Sequence, residues 1–168
     1  MSEIGAYDLA VGVPTGWEGR IFRRPEAGDV VSAAVSGPPA PMGERSFPVM
    51  QVATVPLPID VADYGSDVVA DLGPTDTLIV LKEFDPAEAS QPLFARLGMP
   101  RALSADDFSP SMLQRQLDGQ AGLQVFFNES ARAFCLYVVL GNFSRRLAVV
   151  PLINDVLGSI SISPLPAP

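Results

Sequence analysis

Residues Gly122–Leu140 read GLQVFFNESARAFCLYVVL, two apolar runs either side of a short polar stretch. Leu123–Phe127 and Ala133–Leu140 are rich in Val, Leu and aromatic residues and contain no Pro, so each suits a strand. The polar stretch Asn128–Arg132 between them predicts a hairpin turn. Counting by twos puts Phe134, Leu136, Val138 and Leu140 on one face of the second strand, and Ala133, Cys135, Tyr137 and Val139 on the other. Both faces are apolar, which a strand covered above and below requires. The hairpin therefore predicts a central, mainly antiparallel sheet with a layer on each side.

Working outward, Gly141-Asn142 turns the chain. Val149, Leu152, Ile153, Val156, Leu157 and Ile160 then recur at helical spacing, predicting an amphipathic C-terminal helix packed on the sheet. Pro151 lies off that stripe, and an interior proline costs about 3 kcal/mol, so the helix is expected to start near Pro151 or kink there. Ile160 and Ile162 suit a short extended piece, and Pro164–Pro168 a tail.

Upstream, Thr77–Phe84 (TLIVLKEF) reads as a strand, and Val49–Leu57 as another that Pro56 ends or places at an edge. Tyr7–Val13 and Trp17–Arg23, joined by Pro14-Thr15-Gly16, predict an N-terminal hairpin. Asp60–Gly73 predicts a short helix from a Ser66 cap to Gly73-Pro74. Asp85-Pro86 and Ser109-Pro110 each pair a capping side chain with a proline at the first helical position, the second continuing through Met112–Leu117. Gln91–Asp107 reads as an ordered loop on apolar anchors. Arg24–Phe47, rich in Pro, Ala, Gly and Ser, predicts a long loop within one domain spanning residues 1–163.

The 168 residues suit one α+β domain, and 48% hydrophobic against 18% charged content marks it as globular. No run is long enough to span a membrane, and the start of the chain carries no export signal pattern. A single cysteine excludes an internal disulfide and fits a cytoplasmic protein. The net charge of −8 repels nucleic acid and anionic membranes.

There is no histidine, which removes the usual general base and the commonest metal ligand. Asp60, Asp63, Asp67 and Asp71 form the one carboxylate cluster; three of them would line a helix face, where a hard cation or a solvated surface is the alternative. Cys135 lacks a histidine partner and falls among core residues. Lys82, the only lysine, sits beside Glu83 with no serine motif and reads as a paired surface group. Gly119–Gly122 precedes a strand where a phosphate loop would follow one, so it reads as a turn. The doublets Arg23-Arg24 and Arg145-Arg146 balance nearby carboxylates. No catalytic, metal or cofactor-binding residue is assigned, and no cofactor is expected.

VPTGW (Val13–Trp17), the strand pair at Gly122–Leu140 and the ending NDVLGSISI (Asn154–Ile162) together resemble the α/β/α sandwich of PsbP-like and Mog-type Ran-binding proteins. GWEGRIFRR and GQAGLQVFF also resemble stretches of a group of actinobacterial proteins. The likeness implies an α/β/α-type sandwich and a non-enzymatic binding or assembly role, and it transfers no functional residue. The expectation is a subunit acting through a protein partner or self-association, with Trp17, Phe22, Val30, Val31, Phe47 and Phe126 as interface candidates. The alternatives are a small-molecule or lipid-binding module, and an enzyme using Asp67 or Asp71 as base.

Overall fold

A computed structural model describes residues 1–26 and 45–168. The strands are β1 (Ser2–Ala6), β2 (Leu9–Val13), β3 (Glu18–Phe22), β4 (Val49–Ala53), β5 (Thr77–Phe84), β6 (Ala121–Glu129), β7 (Arg132–Leu140) and β8 (Ser161–Ile162). The helices are α1 (Ser66–Val69) and α2 (Arg146–Ser159). β3-β4-β5-β7-β6 form a five-stranded sheet and β1-β2-β8 a three-stranded one, with antiparallel pairing throughout.

The hairpin forms as expected, with β7 between β5 and β6 and all nine of its residues buried. Its turn is shorter than the polar stretch. Only Ser130 and Ala131 leave the ladder, both at positive φ, as a mirror-image turn requires. Asn128, Glu129 and Arg132 belong to the strands.

The two faces of β7 lead into two cores. Phe134, Leu136, Val138 and Leu140 join Ile79, Leu81, Met50 and Val52 beneath β2, β8 and α2. Cys135, Tyr137 and Val139 join Leu78, Val80, Val49 and Phe22 beneath Leu57, Val61, Val68 and Val69. The first face is thus covered by the small sheet and α2, and the second by loop 54–65 and the single turn of α1.

Three expectations are corrected here. Tyr7–Val13 is not one strand: Tyr7 and Asp8, both at positive φ, form the turn of a β1–β2 hairpin. Pro14–Gly16 does not close a hairpin either; it carries the chain from β2 in the small sheet to β3 in the large one. Ser66 is not the cap of α1. That position belongs to Gly65, at φ 67°, where a Cβ would lie 2.4 Å from Leu78.

At the other end, α2 begins at Arg146, ahead of Pro151. A 3-10 turn at Phe143–Arg145, capped by Asn142 accepting from the Ser144 N–H, leads into it. The carbonyl that Pro151 leaves without its helical partner belongs to Leu147, which is exposed. Leu152 is 50% exposed and drops out of the predicted stripe; Val149, Val150, Ile153, Val156 and Leu157 are the residues that pack. Asp85 caps a 3-10 turn at Pro86–Ser90 as its sequence predicts. Ser109-Pro110 opens a single turn, in which Ser109 Oγ accepts from the Ser111 N–H and its carbonyl from the Met112 N–H, and no helix continues through Met112–Leu117; Ser109 also exchanges both backbone hydrogen bonds with Gly122.

Candidate functional site

Arg132 opens β7 and is fully buried. Its Nε and Nη2 grip the Glu83 carboxylate on β5 at 2.9 and 2.7 Å, a fork on both oxygens. Nη2 also donates to the Tyr7 carbonyl at 3.1 Å, and Nη1 to those of Asp8 and Ser163 at 3.2 and 2.8 Å. One guanidinium therefore joins the large sheet, the β1–β2 turn and the strand end after β8. Beside it opens a cleft of about 340 Å³, lined by Arg45, Ser46, Phe47, Pro48 and Leu165 as well as the Arg132–Glu83 pair. The donors of Arg132 point into the protein fabric, so it serves as the wall of this cleft.

A second polar group lies on the other face of the sheet. Lys82 and Cys135 stand directly opposite each other in β5 and β7. Lys82 Nζ is 2.7 Å from Asp63 Oδ2 and lies over the rings of Tyr64 and Phe84. Asp63 Oδ1 takes a second hydrogen bond from Arg24 Nε at 2.8 Å. The loop that carries Asp63 is pinned by Gln51 Nε2, which donates to the Ala62 and Asp63 carbonyls. Asp63 is thus held by two cations and lies outside α1, so the predicted carboxylate face does not form. Asp67 and Asp71 stand exposed, and no grouping of histidine, cysteine or acidic residues suited to a metal occurs among the described residues.

Burial pushes the Cys135 thiol up to about 11, against smaller opposing effects of Gln124, Tyr64 and Lys82. Burial likewise raises Tyr64 and Tyr137. A raised thiol pKa means the folded state holds this proton more tightly than the unfolded chain. The stability it contributes is complete below about pH 9 and is lost as pH rises through about 11. Urea midpoints are expected to fall across that window, and Cys135→Ala to flatten part of the fall. A thiol reagent is expected to label the native protein slowly at neutral pH and the denatured chain fast; rapid native labelling would contradict the burial.

The interface candidates scatter. Phe22 is 1% exposed inside the second core and offers no surface in the single chain. Trp17 is half-buried against the first core. Phe47 lines the cleft beneath the Arg45 guanidinium. Phe126 is half-buried in an aromatic group, its ring centroid 5.7 Å from that of Phe94 and 6.2 Å from that of Phe84. Val30 and Val31 lie outside the described residues. Comparison with protein-family models, with curated proteins and with solved structures finds no match.

Two exposed features depart from the sequence reading, which puts Leu152 in the packing stripe and Leu93 and Leu97, with Phe94 and Leu103, among the anchors of Gln91–Asp107. The outward side of α2 carries Leu147 at 77% exposure and Leu152 at 50%, with exposed Ala148 and Pro151 between them. Along the far edge of the large sheet, Leu93 and Leu97 are exposed at 58% and 84%. The missed buried pair had a signal in the sequence. Continuing the count by twos back from Phe134 puts Arg132 on the same core face, and Glu83 follows Ile79 and Leu81 in the same way. No helix among the described residues is long and apolar enough to cross a membrane.

Proposed function

We propose that this protein works by contact with another polypeptide, as a non-enzymatic interaction or assembly subunit of the cytoplasm. The observation that carries the reading is the apolar outward side of α2. Leu147 and Pro151, and Ala148 and Leu152, are four apart and so adjacent on the helix surface. They make one continuous apolar patch, of the kind that marks association sites. The chemistry of the interior supports the same reading: Arg132, Glu83, Lys82 and Asp63 are each held in ion pairs that join elements of the fold.

The likeness to PsbP-like and Mog-type sandwiches belongs to this proposal. It takes α1 and the turns around it as the second outer layer, opposite α2. The small-molecule reading draws support from the cleft beside Arg132, whose volume of about 340 Å³ lies within the range of ligand sites.

Light scattering after size exclusion, with cross-linking of the native protein in its host, tests the main reading. The wild type is expected to self-associate or to cross-link to a defined partner. Leu147→Lys with Leu152→Glu is expected to abolish this while leaving the melting temperature unchanged. A strictly monomeric wild type that cross-links to nothing overturns the proposal.

A further inference from the structure

The outer edge of β6 is closed at its two ends and open between them. At one end Gly122 exchanges backbone hydrogen bonds with Ser109, at 2.9 and 3.0 Å. At the other end Asn128 donates to the Arg96 carbonyl at 2.8 Å and accepts from the Gly98 N–H at 2.7 Å. The β6–β7 register runs without a bulge from Ala121 to Glu129. Backbone direction alternates along a strand, so the N–H and C=O of Gln124 and Phe126 point the same way as those of Gly122 and Asn128. No described residue pairs with these four groups.

We propose that this window receives a short extended peptide from a partner protein as an added strand. The proposal rests on the reading of the protein as one that works by contact, and adds a second surface and the form of its partner. Hydrogen-bond complementarity sets the occupant's backbone, since two donors and two acceptors alternating along an edge are matched by another extended chain. The flanks set its length. Gly122 and Asn128 are about 20 Å apart at strand rise, and their outer positions are taken, so the added segment spans roughly five residues and lifts away at both ends. The same flanks exclude a second copy of β6. Pairing about Val125 would set its Gly122 against Asn128, where Arg96 and Gly98 already sit. The rim sets the side chains: Leu97 stands beside Asn128, Met112 is 39% exposed beside Gly122, and half-buried Phe126 lies in the window itself. An apolar residue on the incoming strand would lie against Phe126.

The probe is a capped peptide of roughly five residues alternating threonine and valine, long enough for the window at strand rise. Amide exchange of the full-length protein is read by NMR. The Gln124 and Phe126 N–H groups are expected to slow by about tenfold at saturating peptide, as mass action gives when ligand is in tenfold excess over Kd. A peptide N-methylated at every amide is expected to give no slowing. Gln124→Pro removes an N–H that faces away from β7, a position where an edge strand tolerates proline. It is expected to keep the fold and lose peptide binding. Unchanged exchange up to the peptide's solubility limit, or equal binding by Gln124→Pro, shows a solvated edge only and overturns the proposal. Association through α2, read by light scattering, would survive that result, so the two readings fail separately.

Discussion

Arg132→Met is expected to cost about 3–5 kcal/mol, a large share of the roughly 5–15 kcal/mol by which a domain is stable. The substitution keeps most of the side-chain length and removes the charge. Glu83, 3% exposed, is then left as a buried carboxylate with no counter-charge from β7. The carbonyls of Tyr7 and Ser163 lose the Arg132 donor at the same time, and that of Asp8 is left with the Ser163 N–H alone, so the links between the two sheets weaken further. A second substitution separates the two contributions. Glu83→Leu on the Arg132→Met background removes the stranded charge and is expected to restore part of the stability, since apolar replacements of buried ion pairs are often tolerated. Recovery stays incomplete because the guanidinium's hydrogen bonds to the Tyr7, Asp8 and Ser163 carbonyls are not restored. Urea midpoints of the single and double variants give the answer. If the double variant is no more stable than Arg132→Met, the pair is not coupled as the geometry requires.

Leu136→Asp is expected to abolish folding altogether. Leu136 is fully buried in the first core, between Leu81 of β5 and Val125 of β6 on its flanks. A carboxylate there finds no cation and no water, and the core loses a branched aliphatic side chain as well, so the penalty reaches several kcal/mol. The contrast is Leu152→Asp on the outward side of α2, which is expected to be near neutral for the melting temperature. A Leu136→Asp protein that melted like the wild type would mean that β7 does not sit between two layers.

The parts of the fold that were legible in the sequence are those where burial is uniform or strictly periodic. β7 is apolar on both faces, and β5 nearly so, which leaves one consistent placement for each. α2 was legible from its stripe, although Leu152 matched the spacing without being buried. Periodicity gives an angle around the helix and not the width of the surface it meets. β2 and β3 fall inside the runs that read as strands, but β1 was not legible, because Ser2–Ala6 is a solvent-facing strand with no apolar alternation. Its turn uses Tyr7-Asp8, where Asn-Gly or Asp-Gly would have announced it. The change of sheet at Pro14–Gly16 follows from how the two layers pack, which local sequence does not encode. Lys82 and Cys135 each drew a reading alone, and only the β5–β7 register brings them together. Arg132 reads as part of a polar turn, since an arginine beside Glu129, Ser130 and Ala131 has every local mark of a surface residue.

The small sheet places one requirement on the order in which the protein assembles. β2 pairs with β8, so strands from opposite ends of the sequence lie side by side. The guanidinium of Arg132 reaches Ser163 just beyond that pair. The chain emerges from the ribosome N-terminus first, at about 5–20 residues per second. The β1–β2 hairpin is therefore made early and spends the rest of synthesis without its third strand, its inner face lacking α2. Pairings between distant parts of a chain form slowly, because the loop they close is long. The last step of assembly is then the docking of α2 and β8 as a latch. Until it closes, Leu9, Val11 and Val13 lack part of the cover that buries them in the finished fold.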